Sequence, residues 1–448
     1  MNLRALAFGA IAVLSTTVPL AAATYYVATP AAGGNDGNPG TAGQPWATLQ
    51  HAAGQVAPGD TVLVRAGAYQ GFHLTTSGAP GSRITFRAFP GEVVTITQNN
   101  PSTPDGINLE GASHVTVEGF RISGRTRAGI RAVLCDHVHL RGNRATDNGR
   151  WGIFTGCCDD LVIEGNLTSG SVDEHGIYVS NSGDRPAIRG NVIFGNHANG
   201  IHMNGDASID CDGTTPQDGV ISNALVEGNT IWNNGSGGGS GINCDGVQSS
   251  RIRNNLIHST HASGISLYQI DGGQPSHSNR IENNTVLVAA DGRWGLNVQD
   301  GSQGTTILNN VFWSDHSFRG AMDVCSPGCL TGLTSDFNAV ESRFTLDGGN
   351  STLTLAQWRS QTGQDQSSVA ISSLPALFVN LGYGNFHPSF VSQLRDAGTT
   401  IPDLTDDLER VARPRGTAYD IGALETVIGI FVDGFEGGST VRWSSEMP

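Results

Sequence analysis

The chain has 448 residues, a formal charge of −15 and 25 basic residues, every one of them arginine. An acidic chain without basic clusters argues against nucleic acid or an anionic membrane surface as a partner. The 61 glycines, with abundant Asn, Ser and Thr, fit a fold that turns every few residues.

Residues 1–23 read as an export signal: Arg4, an apolar run from Ala5 to Leu14, and the cleavage pattern Ala21-Ala22-Ala23. The run is too short to span a bilayer and no later segment qualifies, so a secreted, periplasmic or cell-surface protein beginning at Thr24 is expected. Residues 24–82 read as a cap with the first strands. Leu49, Ala52, Ala53 and Val56 fall at helical spacing, and Thr61 to Arg65 alternates as a strand. A short amphipathic helix here would cover the end rung of a repeat stack.

Residues 83–340 are periodic. A Gly-Ile step, once Gly-Leu, recurs at Gly106, Gly129, Gly152, Gly176, Gly200, Gly241, Gly264 and Gly295. A second marker, usually Gly-Asn or Asn-Asn, places Asn143, Asn166, Asn191, Asn229, Asn255, Asn284 and Asn310 on the same rhythm. Periods of this length mean a solenoid. Each period holds short alternating segments such as Val115-Thr116-Val117, separated by polar turns, which gives an all-β, right-handed parallel β-helix of three strands per turn. The repeated asparagines read as a structural ladder.

In the Gly-Ile strand, Ile107 to Leu296 and Leu109 to Val298 form two columns that face the core. The positions between them face out. One outward column runs Asn108, Arg131, Phe154, Tyr178, His202, Asn243, Ser266, Asn297; the next runs Glu110, Val133, Gly156, Ser180, Asn204, Asp245, Tyr268, Gln299. Gly176-Ile177-Tyr178-Val179-Ser180 and Gly200-Ile201-His202-Met203-Asn204 are near copies, which sets Tyr178 beside His202 about 4.8 Å away. The long intervals carry insertions, one of them acidic, from Gly205 to Asn223.

Seven cysteines suit an oxidising compartment. Cys135 and Cys158 occupy equivalent places on adjacent turns, and Cys325 and Cys329 frame a tight loop, so both pairs are expected to be bridged. Cys211 and Cys244 are a weaker third pair, leaving Cys157 over. Residues 341–425, with a short helix over Leu353 to Gln361, read as a closing segment, and residues 426–448 as a loosely attached tail.

On these features the chain resembles the pectate-lyase-like superfamily of right-handed parallel β-helix proteins, and its secreted bacterial repeat members in particular. Tyr25-Tyr26-Val27, Gly34-Asn35-Asp36-Gly37, Pro45-Trp46-Ala47-Thr48 and Pro58-Gly59-Asp60-Thr61 resemble their N-terminal cap. Arg413-Pro414-Arg415-Gly416 and Tyr419-Asp420-Ile421-Gly422 resemble their closure, and Asp433-Gly434-Phe435-Glu436 is similar to tails of exported proteobacterial proteins. The resemblance implies an extended, anionic polysaccharide as partner of a monomeric chain. With no lysine, the lysine-based lyases of the superfamily have no counterpart here. His175-Gly176-Ile177-Tyr178 has some likeness to alginate-type epimerases and lyases, with Asp173-Glu174-His175 where they carry Asp-Pro-His.

The expected chemistry is abstraction of the proton next to a uronate carboxylate, followed by β-elimination or C5-epimerisation. Tyr178 and His202 are the expected proton carriers, flanked by His175. Asn204, Asn243, Asp245, Tyr268, Trp151 and Arg131 are expected to hold the sugar, and Asp206, Asp210, Asp212 and Asp218 could bind Ca²⁺. The alternatives are a non-catalytic glycan-binding protein and a glycoside hydrolase using carboxylates such as Asp206 and Asp245.

Overall fold

A computed structural model describes residues 22–209, 211 and 218–426. The expected export signal, up to position 21, and the expected tail, from position 427, lie outside the described residues. Each period folds into one coil of three short strands, and the coils stack into three parallel sheets of 12, 11 and 12 strands. The Gly-Ile strands form the 11-stranded sheet, which runs from Phe72–Leu74 to Phe344–Thr345.

The two repeating markers have separate steric causes. A Cβ at Gly129 would lie 2.7 Å from the carbonyl oxygen of Gly152, and one at Gly176 would lie 2.8 Å from that of Gly200. Only glycine lets the next coil settle that close. The residue before each ladder asparagine turns the chain with positive φ: Gly142 at 58° and Gly165 at 63°, then Asn254 at 52° and Asn283 at 50°. Glycine and asparagine tolerate this region best, which explains the Gly-Asn and Asn-Asn pairs.

The inward column Ile107, Ile130, Ile153, Ile177, Ile201, Ile242, Ile265 and Leu296 is fully buried. Burying each such side chain stabilises the fold by roughly 1.5–3 kcal/mol relative to exposure. The asparagine ladder is continuous and reaches one rung beyond its expected end. Nδ2 of Asn143, Asn166, Asn191, Asn229, Asn255, Asn284 and Asn310 each donates to Oδ1 of the next asparagine at 2.9–3.1 Å, ending on Asn338. The same Oδ1 atoms accept backbone N–H groups, as in Asn229 N to Asn255 Oδ1 at 3.0 Å. Buried turn donors that face no strand are satisfied in this way.

Both ends of the 11-stranded sheet are covered. The helix Leu49–Ala53 is capped by Thr48, and Gln50 donates to His73 O at 3.1 Å and accepts from His73 N at 2.8 Å, pairing the open edge of the first strand. The helix Leu355–Thr362 starts at a Thr354–Gln357 capping box and stacks buried Trp358 on Phe344 of the last strand, centroids 4.9 Å apart. Farther on, the helix Leu374–Leu377 and the antiparallel pair Phe378–Asn380 and Asn385–Pro388 pack on Leu256, Leu287, Val311 and Ala339.

Cys135–Cys158 and Cys325–Cys329 are bridged as expected, the first with a Cα–Cα distance of 4.7 Å between adjacent rungs. The third bridge differs: Cys157 pairs with Cys211, and Cys244 is a buried free thiol. The alternation gives the reason. Cys244 registers with Met203 and Leu267 in an inward column, whereas Cys157 has φ 54° and turns away from the core toward the insertion. Three disulfides fit an extracellular or periplasmic setting. No helix among the described residues is long and apolar enough to cross a membrane.

Candidate functional site

The outward column keeps its expected register from Asn108 through Arg131, Phe154, Tyr178, His202, Asn243 and Ser266 to Asn297, and continues to Asp323. Tyr178 and His202 lie directly opposite each other on adjacent strands, their rings stacked at 4.9 Å with 9° between planes. His175 stands edge-on to both, at 4.9 Å from Tyr178 and 4.7 Å from His202. Phe154 and Trp151 extend the aromatic stack on the other side of Tyr178.

The hydrogen bonds of the two histidines set their tautomers. Backbone N–H of Asn199 donates to His175 Nδ1 at 3.2 Å, so that nitrogen is an acceptor and Nε2 carries the hydrogen. His175 Nε2 lies 3.1 Å from His202 Nδ1, which must then accept. His202 therefore holds its hydrogen on Nε2, a buried atom with no partner among the described residues. Burial pushes His175 down to about 2, helped by the neighbouring His202, and pushes His202 down to about 3. Both imidazoles are neutral at physiological pH.

Tyr178 is half-buried, and burial raises its phenol above the usual value, with Glu174, Asp271 and Asp206 adding to the shift. Its hydroxyl lies 3.1 Å from the amide of Asn204. With that amide turned to satisfy both ends, Tyr178 donates to Oδ1 while Nδ2 donates to Asp245 Oδ2 at 3.2 Å and Gly205 O at 3.3 Å. One rung on, Asn243 Nδ2 donates to the hydroxyl of Tyr268 at 2.6 Å.

Several outward residues are less open than the alternation implies. His175, Ser180, Asn204, Asn243 and Asp245 are all buried. The loops after the strands account for this: Ala207 N donates to Asp271 O at 3.2 Å and Gly273 N to Gly219 O at 2.7 Å, walling the second column. Asp245 accepts from the backbone N–H groups of Ile270, Asp271 and Gly272 at 2.8, 2.8 and 3.1 Å, so its carboxylate anchors the wall. That geometry removes Asp245 as a free sugar ligand or hydrolytic acid.

Two other expected sugar contacts are engaged elsewhere. Trp151 is 7% exposed, donates from Nε1 to Glu174 at 2.7 Å and lies under Arg150, so it is not an open stacking platform. Arg131 pairs with Glu110 at 3.1 Å and Asn108 at 2.9 Å, two rungs from Tyr178 with Phe154 between. In the acidic insertion, Asp206 Oδ1 accepts from Ser208 N at 2.8 Å and Asp218 Oδ1 from Val220 N at 3.0 Å. Asp210 and Asp212 lie outside the described residues, and no group of three ligating side chains suits a metal among the described ones.

Past His202 the face opens into two adjoining clefts of about 200 and 290 Å³ that share Ser263, Arg293 and Asn297. Asn243, Ser266 and Tyr268 line the larger, and Arg319 and Asp323 the smaller. Asp323 is 6% exposed and its Oδ1 has no partner among the described residues. Burial raises its carboxyl to about 6 against opposing effects of Gln299 and Arg319. Asp323 and Arg319 escaped sequence reading because the Gly-Ile marker becomes Gly320-Ala321-Met322 on this rung.

A family model described as "Pel9A-like, right handed beta helix region" matches residues 25–255, and one described as "Periplasmic copper-binding protein (NosD)" matches residues 218–323. Among solved structures, pectate lyase Pel9A is similar at a TM-score of 0.61 and 17% identity, over 90% of this chain and 96% of that one. A rhamnogalacturonan lyase is similar at 0.55 and 16%, over 80% and 91%. The alginate lyase from Paenibacillus sp. str. FPU-7 is similar at 0.50 and 17%, over 67% and 97%. Over 65 residues the chain is 42% identical to the uncharacterised protein YwoF of Bacillus subtilis (strain 168), a match covering 14% of each chain. At identities this low, the likeness to the solved structures shows a common fold alone.

Proposed function

The chain belongs to the Pel9A-like right-handed β-helix family, and from that premise we propose that it is an exported, polysaccharide-active enzyme that removes the proton next to the carboxylate of a uronate-containing glycan. The observation that carries this reading is the stacked pair itself. A phenol and an imidazole lie 4.9 Å apart on one sheet face, and the imidazole holds a buried N–H with no partner. The lyases among its structural neighbours supply the substrate class.

The tautomer chain divides the roles. His202 presents Nε2–H and has no free acceptor nitrogen, so it acts as a donor to the carboxylate or to the enolate that forms from it. Tyr178 is the group that exchanges the proton. Its phenolate takes the hydrogen from C5, and the electrons of that C–H bond become the C4–C5 double bond as the C4–O bond breaks. The phenol then returns the proton to the leaving oxygen, restoring the phenolate. Reprotonation of C5 on the opposite face by a solvent water, with Tyr178 giving its proton up to solvent and no C–O bond cleaved, gives the epimer. His175 acts through His202 by holding Nδ1 occupied, and Asn204 orients the Tyr178 hydroxyl.

Screening polygalacturonate, alginate and neutral glycans for ultraviolet-absorbing ends, changed sugar composition and new reducing ends tests the reading. Unsaturated ends identify elimination, and altered composition without cutting identifies epimerisation. Reducing ends alone would overturn the proposal in favour of hydrolysis, and glycan retention without any product in favour of a binding protein.

A further inference from the structure

Three and four rungs beyond His202, or roughly 14 and 19 Å at about 4.8 Å per rung, Arg293 and Arg319 stand in equivalent places on adjacent coils. Each precedes by three residues one member of the paired Leu296 and Met322. Neither guanidinium has a carboxylate within ion-pair distance among the described residues, although the chain carries 40 acidic groups against 25 arginines. Arg319 donates to Gly292 O at 3.1 Å, and Arg293 projects into the same cleft from an exposed turn. Two like charges one rung apart repel unless an anion lies between them. At the floor of the cleft, Asp323 offers Oδ1 as a buried acceptor without a donor among the described residues. A buried acceptor left open is costly unless a ligand donor completes it.

We propose that this cleft is a binding subsite for a carboxylate-bearing sugar ring, with Arg293 and Arg319 clasping the carboxylate and Asp323 Oδ1 accepting a ring hydroxyl. The subsite deepens the uronate reading above and rests on it. It sits on the same outward column as Tyr178, so one extended chain lying along the sheet face would reach both. Asn243, Ser266 and Asn297 line the path between them. A bidentate guanidinium grip suits a planar carboxylate and discriminates against a neutral sugar of the same shape.

The test is calorimetric titration of matched-length polygalacturonate and alginate oligomers, and of the same oligomers with carboxyls reduced to alcohols, into the full chain. All proteins carry Tyr178→Phe, so that binding is read without turnover. The combined Arg293→Ala and Arg319→Ala substitution is expected to weaken a bound uronate oligomer on the order of 10-fold or more and to leave the reduced oligomer unchanged. Asp323→Asn is expected to weaken both forms several-fold. Uronate binding unaffected by the double substitution, or an equal loss for reduced oligomers, overturns the subsite alone. If neither polyuronate binds the parent, the subsite falls together with the uronate reading.

Discussion

The outward column of the 11-stranded sheet is aromatic over Phe154, Tyr178 and His202, and polar from Asn243 through Ser266 and Asn297 to Asp323. Beneath both stretches runs the same buried aliphatic stack, so the backbone does not distinguish them. The first stretch is half-covered: rings stack on one another, the imidazoles are driven neutral, and two loops bond across its edge. The second is open and holds Arg293 and Arg319 with no carboxylate at ion-pair distance among the described residues. A repeat fold can thus separate proton exchange from substrate grip along one line, by changing only every second residue of a strand.

Turnover separates the two stretches most sharply. Tyr178→Phe is expected to lower kcat by roughly 10²–10⁴-fold and leave oligomer binding near its parent value, as measured by steady-state kinetics and titration. Arg293→Ala should do the reverse, raising KM with little change in kcat. Equal effects of both on kcat would erase the contrast.

For stability, the ladder matters more than either stretch. Asn255→Leu strands the backbone N–H of Asn229 in the interior, takes one of the two acceptors from the Asn229 side-chain amide, and removes the donor to Val226 O. A stranded group costs about 1–3 kcal/mol, so chemical denaturation should show a loss of several kcal/mol, whereas Tyr178→Phe, which leaves only Asn204 Oδ1 without its donor, should cost about 1–3 kcal/mol.

Two pH experiments sharpen the assignment of roles. Tyr178 carries a raised phenol pKa, so if its phenolate is the base, kcat/KM should climb about tenfold per pH unit through neutral pH, with no plateau below about 10. A plateau beginning near pH 6 would instead point to a carboxylate such as Asp323. The histidines make a separate statement about folding. Their folded pKa values, about 2 and about 3, lie below the unfolded value of roughly 6.5. The stability they contribute is therefore full above that unfolded value and is lost as pH falls toward 3. Each adds up to a tenfold change in the folding equilibrium per pH unit over that window. Replacing His175 with Gln should flatten the slope of a pH series of denaturation midpoints.

The smallest expected effect concerns the Cys157–Cys211 bridge, which ties the insertion to the aromatic coil. Cys211→Ser should cost about 0–5 kcal/mol and speed protease cleavage of the insertion, with the rest of the stack unaffected.

The solenoid was legible because its two markers each answer a strict steric demand: glycine where the next coil's carbonyl approaches, and glycine or asparagine where φ is positive. Register followed, and with it the pairing of Tyr178 to His202 and of Cys135 to Cys158. Where one column had been assigned inward, its consequence for Cys244 was available too, since a core-facing thiol cannot reach an insertion cysteine. Burial of Asp245 and Asn204 was not legible. It arises when loops hundreds of atoms apart in the chain, around Gly219 and Asp271, bond across the sheet edge, and no local pattern encodes that contact. The loss of the Gly-Ile marker after Gly295 likewise hid the rung that carries Arg319 and Asp323.

The most direct test of the account is loss of the C5 hydrogen from a polyuronate deuterated at that position, followed by NMR, because elimination and epimerisation both require it. Deuterium release to solvent is expected with the parent protein, and none above background with Tyr178→Phe. Product formation with the label retained at C5, or undiminished release by the Tyr178→Phe protein, would contradict it.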